Sequence, residues 1–130
     1  MTGLVRVTAD GTVIADKVVY ADTYQLRRKG LLGKDRLEAN EGALLVMPCK
    51  TGLSLLHSIH MFGVPFDLAV AWLDLKGQII QTKRAKPGRM YFPPGFFTDT
   101  AYILELHPQH LSLLQSAPEI TWEDAGGRSA

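Results

Sequence analysis

The chain has 130 residues, 46% hydrophobic and 21% charged, with 14 basic against 13 acidic side chains for a net charge of +1. That length closes one hydrophobic core without staples, the composition excludes extended disorder, and the near-neutral balance gives no global attraction to nucleic acid or anionic lipid. A lone cysteine, Cys49, excludes an internal disulfide, and no run approaches the ~20 apolar residues that span a bilayer.

The N-terminal third reads as a hairpin followed by a helix. Leu4–Thr8 and Thr12–Ile14 are β-branched runs separated by Ala9-Asp10-Gly11, and Asp-Gly supplies the positive φ a tight hairpin needs. Val18-Val19-Tyr20 continues as strand. Asp22 or Thr23 can cap a helix through Tyr24, Leu26, Arg27 and Lys29, which Gly30 and Gly33 are suited to end. After a polar connection, Ala43–Met47 is a continuous apolar run closed by Pro48, the pattern of a strand buried on both faces.

Thr51–Leu56 fits a loop or a single helical turn equally well. Leu68–Leu73 has no polar residue, which predicts a strand central in its sheet, and Asp74-Leu75-Lys76-Gly77 turns the chain into a strand at Gln78–Lys83. Pro87, Gly88, Pro93, Pro94 and Gly95 punctuate Lys86–Gly95 as an irregular loop. Thr100–Leu106 is a further strand, Pro108 opens a short helix through Leu111, Leu113 and Leu114, and Glu119–Trp122 can close the sheet. About seven short strands and two helices predict a mainly β, α+β fold: one β-sandwich or barrel-like domain over residues 1–123, short helices at its edges, and a frayed tail over 124–130.

Glu105 draws notice within that frame. Period-two alternation puts it on one strand face with Ala101 and Ile103, where a carboxylate is partly desolvated and requires a cation or several donors. Arg27 and Arg28 are the natural partners, since guanidinium offers a carboxylate a planar fork. The bland reading is a structural ion pair, and a functional acid with a raised pKa is its rival.

His57 and His60, with Cys49, invite a zinc reading, but an odd spacing on a strand sends the rings to opposite faces and no second Cys or His cluster supports a site. No metal or cofactor is expected. Cys49 with His60 as base suggests a cysteine hydrolase only weakly, because no nucleophile motif surrounds it. The basic run Lys83–Arg89 adjoins Tyr91, Phe92, Phe96 and Phe97 without interleaving, which favours an aromatic protein-contact loop over a single-strand nucleic-acid site.

Taken in order, several short motifs carry a resemblance. They are Arg27-x-x-Gly30-Leu31-Leu32-Gly33, Glu41-Gly42-Ala43-Leu44-Leu45 with Pro48-Cys49, and Ser58-Ile59-His60-x-Phe62-Gly63. A strand ending Trp72-Leu73-Asp74-x-x-Gly77 and then Leu104-Glu105-Leu106 complete the set. Across residues 20–120 the chain resembles the bacterial and archaeal family called domain of unknown function 192. The resemblance implies a β-rich sandwich or barrel-like fold and no established activity, substrate or cofactor. Where that family has a threonine, a methionine, a basic residue and a strand aspartate, this chain has Met61, Val64, Pro65 and Ala69. Asp67, about 7 Å along the strand from Ala69 and on the same face, is the candidate replacement.

The reading that follows is a non-catalytic binding domain, with Arg27, His60, Asp67 and Glu105 as a polar pocket or Tyr91, Phe92, Phe96 and Phe97 as a contact loop. The alternative is a small hydrolase-like or metal-assisted enzyme using His60 with Asp67 or Glu105. Met1–Val7 lacks the basic start and apolar run of a signal peptide, so the expectation is a cytoplasmic monomer or homodimer with an unknown small-ligand or protein partner.

Overall fold

In the computed structural model, which describes residues 3–125, strands β1 (Leu4–Ala9) and β2 (Thr12–Ala21) form the expected hairpin. Asp10 and Gly11 make its turn at φ 50° and 75°, the paired positive dihedrals of a two-residue hairpin loop. The chain then forms helix α1 (Tyr24–Lys29), β3 (Glu41–Val46), β4 (Gly52–Leu53), a 3₁₀ turn (Ser54–His57), β5 (Ile59–His60) and β6 (Leu68–Leu73). It continues through β7 (Ile79–Ala85), β8 (Met90–Tyr91), β9 (Phe97–Thr98), β10 (Tyr102–Leu106), a 3₁₀ turn (Pro108–His110), α2 (Leu111–Ser116) and β11 (Ile120–Asp124).

The longer strands build one seven-stranded sheet in the order β11-β1-β2-β3-β10-β6-β7, curled into a half-barrel. Of the two architectures predicted, the barrel-like one is therefore observed. Every neighbouring pair is antiparallel except β2 with β3, and α1 lies in the crossover that joins them. β6 is buried at every residue, as its uniformly apolar sequence requires, but it stands next to the edge strand β7 rather than at the middle of the sheet. β11 runs to Asp124, one residue into the predicted tail, and 126–130 lie outside the described residues.

Each face of the sheet carries its own core. On one, Val5, Val7, Val18, Leu44, Ala71, Leu73, Leu104 and Leu106 pack with Leu114 of α2. On the other, Ala43, Leu45, Val70, Trp72 and Ile103 are covered by Leu31, Leu37, Ile59, Met61 and Val64 from the connections. The period-two alternation of β6 and β10 divides their residues between these two cores.

α1 departs from expectation in an instructive way. Thr23 Oγ1 caps it by accepting from Leu26 N at 3.2 Å, and Gly30, at φ 46°, ends it with its N–H on the Leu26 carbonyl. Yet no residue of the helix is buried. Leu31 and Leu37, in the chain that follows, supply the apolar anchors instead.

The loops hold two further antiparallel pairs, β4 with β9 and β5 with β8. The second corrects the prediction that Lys86–Gly95 has no regular element: Met90 and Tyr91 escape the flanking prolines and pair with His60 and Ile59. Trp72 reaches out of β6 and donates its Nε1–H to the His57 carbonyl at 2.9 Å, tying the loop layer to the sheet.

Candidate functional site

Glu105 sits in the middle of the sheet, opposite Ala43 on β3 and Val70 on β6, small neighbours that leave space above its side chain. Gly30 passes over that space; a Cβ there would lie 3.8 Å from Glu105 Oε1. The result is a cavity of about 110 Å³ between the α1 crossover and the sheet, lined by Glu105, Arg27, Arg28, Lys29, Ser58 and His60 with an apolar wall that includes Leu31, Leu45, Met61 and Leu68.

Glu105 as a residue is only 7% exposed, its carboxyl oxygens open onto the cavity rather than being sealed from solvent, and it has no hydrogen-bond or ion-pair partner among the described residues. Burial pushes its pKa up from 4.5 to about 7, because a low-dielectric site penalises the charged form. Near neutral pH the group therefore exists both as carboxylate and as carboxylic acid, able to accept or to donate.

The expected Arg27–Glu105 ion pair is not formed. Arg27 instead donates from Nη1 to the Val46 carbonyl at 3.0 Å. The reason is the helix placement: with no buried residue, α1 does not press its cations onto the sheet, so Arg27 is half-buried at the cavity edge and Arg28 and Lys29 are exposed. Of the four residues expected to form a polar pocket, Arg27, His60 and Glu105 line the cavity.

Asp67 is not among them. Its carboxylate takes Arg84 Nε at 2.8 Å, on the side of the sheet where Ala69 packs, away from Glu105. His60 is exposed and stacks on Phe62, with ring centroids 5.2 Å apart and planes inclined by 22°. It makes no hydrogen bond to Glu105, so the pairing on which the enzyme alternative rests is absent from this geometry.

His57 is the enclosed histidine. Its Nδ1 and Nε2 lie 3.1 and 2.9 Å from the carbonyls of Leu53 and Cys49, and the nitrogen that carries the proton donates to the carbonyl it faces. Among the described residues, no three His, Cys, Asp or Glu side chains converge as a metal site.

The aromatic loop is partly as expected. Phe96 and Phe97 are 74% and 68% exposed and pack edge to face on each other at 4.9 Å, and Phe92 is 40% exposed. Tyr91 differs: it packs against the core and its hydroxyl accepts from Lys86 N at 2.8 Å. The sequence reading missed the leucines beside these rings. Leu53, Leu55 and Leu56 are exposed, and Leu53 and Leu55 line a shallow apolar groove of about 260 Å³ with Phe92 and Phe96. The signal was Leu53 with Leu55-Leu56, three leucines clustered in a stretch that fitted no strand.

No helix among the described residues is long and apolar enough to cross a membrane. In sequence, the chain is 33% identical over 122 residues to a UPF0127 protein of Thermococcus sibiricus, covering 92% of this chain and 75% of that one. A UPF0127 protein of Thermococcus kodakarensis is 36% identical over 77 residues, covering 59% of this chain and 46% of that one. Among solved structures, a protein of unknown function from Novosphingobium aromaticivorans shares the fold with a TM-score of 0.68 at 19% identity, covering 92% of this chain and 83% of that one. A Sinorhizobium meliloti protein does so with a TM-score of 0.69 at 20% identity, over 95% of this chain and 93% of that one. The model of DUF192, a family described as uncharacterized, matches residues 5–118, and this chain belongs to that family.

Proposed function

We propose that this domain is a non-catalytic binding module whose ligand enters the cavity between the α1 crossover and the sheet. One observation carries the reading: Glu105 is largely buried, has no protein partner among the described residues and opens onto that cavity. An unpaired buried acid lowers stability, and a bound ligand that satisfies it offsets the cost. At about 110 Å³ the cavity is smaller than the ~300–1,000 Å³ typical of drug-sized ligands, which favours a compact polar molecule.

Thermal-shift screening of small polar metabolites tests this, with wild type and Glu105→Gln run side by side. The expected result is stabilisation of the wild type by a subset of compounds, much reduced in the variant. The reading fails if no compound stabilises the wild type, or if both proteins respond alike.

A second reading is contact through the exposed aromatic loop, favoured by the continuity of Phe92 and Phe96 with Leu53 and Leu55 around one apolar groove. The two readings are compatible, since groove and cavity share no lining residue.

A further inference from the structure

Glu105 and the three consecutive cations of α1 line one cavity, yet no ion pair joins them. The acid lies buried at the base and Arg28 and Lys29 stand exposed at the edge, with Arg27 half-buried between. The space therefore has an unsatisfied negative group at one end and positive groups at the other. A simple cation would satisfy the base but meet repulsion from the edge, and a simple anion would satisfy the edge but leave the acid uncompensated. A molecule with both charges satisfies both ends.

We propose that the cavity takes a small zwitterion of the α-amino acid class, its ammonium on Glu105 and its carboxylate toward Arg27, Arg28 and Lys29. This rests on the binding reading above and gives it a ligand class. Size agrees: a cavity of about 110 Å³, against the ~10–15 Å³ that one water needs on the same measure, holds several water-sized groups, enough for the amine-and-acid head with a short side chain. The wall of Leu31, Leu45, Met61 and Leu68 suits an aliphatic side chain over a polar one.

Binding also has a proton signature. An ammonium on Glu105 selects the carboxylate, so molecules protonated there must release that proton. Because burial raises the group's pKa toward neutrality, a fraction of a proton leaves per ligand at pH 7. An acceptor on Glu105 would select the acid form and cause uptake instead.

Isothermal titration calorimetry at pH 7, in two buffers of different ionisation enthalpy, tests the proposal with glycine, L-alanine, ethylammonium and acetate as probes. The amino acids are expected to bind at least ~10-fold more tightly than either half-molecule, with net proton release. Glu105→Gln should abolish the proton release and weaken binding at least ~10-fold, and Arg28→Ala with Lys29→Ala should weaken the amino acids more than ethylammonium. Acetate or ethylammonium binding as tightly as alanine, or net proton uptake, would overturn the zwitterion class while leaving the cavity a binding site. So would silence from both amino acids at ~10 mM, well above a weak ~1 mM Kd, if the metabolite screen had found another Glu105-dependent ligand. Amino-acid binding that Glu105→Gln leaves unchanged would place the ligand elsewhere and overturn the proposal.

Discussion

Arg27 and Glu105 line the same cavity without pairing: the guanidinium is held by the Val46 carbonyl at 3.0 Å and the carboxyl by no group among the described residues. A double-mutant cycle checks this arrangement. Arg27→Ala should cost about 1–2 kcal/mol through the lost bond to a half-buried carbonyl. Glu105→Gln should stabilise at neutral pH, by up to about 3 kcal/mol, because the amide avoids the cost of ionising a buried acid. Their effects should add to within ~0.5 kcal/mol. A coupling above that, with each single change strongly destabilising, would mean that the two groups pair in solution.

Glu105 also sets a pH dependence. Its carboxyl titrates near 7 in the folded protein and near 4.5 when exposed, so the native state holds more protons than the unfolded chain between those values. Stability must fall as pH rises through that window, by about 3 kcal/mol, with the loss complete above about pH 7 and absent below about pH 4.5. Urea unfolding of wild type and Glu105→Gln across pH 4–8 reads the term directly. The gap between them should open toward alkaline pH in favour of the variant, and parallel profiles would refute the assignment.

The exposed aromatic loop predicts self-association. Phe96 and Phe97 rest chiefly on each other, so changing both to Ser should alter folding stability by less than about 1 kcal/mol. Sedimentation velocity over a concentration series should show an association in the wild type that the variant lacks. Unfolding of the variant would put the rings in the core, and an unchanged association would move the contact elsewhere.

Trp72 and His57 hold the loop layer to the sheet. Trp72→Phe removes the pyrrole part of a fully buried indole and leaves the buried His57 carbonyl without its donor, an expected loss of at least about 1–3 kcal/mol in urea unfolding. His57→Ala should loosen the segment from Cys49 to Leu53, seen as faster amide hydrogen exchange there with the sheet amides unaffected. Uniform acceleration over the whole sheet would show that the two layers unfold as one.

The sequence by itself determined the sheet and the burial of its acid. Apolar runs at 43–47 and 68–73 and the alternation at 100–106 have a period fixed by the backbone, so the strands, their faces and the placement of Glu105 beside Ile103 are local properties. The short pairs β4·β9 and β5·β8 were out of reach, because two-residue strands carry no period and exist only when distant loops meet. The tertiary structure alone decided what faces Glu105. Whether α1 presses Arg27 onto the sheet depends on where Leu31 and Leu37 anchor the crossover, and they anchor it beyond the helix, leaving a cavity where an ion pair was expected. Asp67 turned on the same distinction: its strand face followed from spacing, but the core on that face, and Arg84 as its partner, followed from how the strands pair across the sheet.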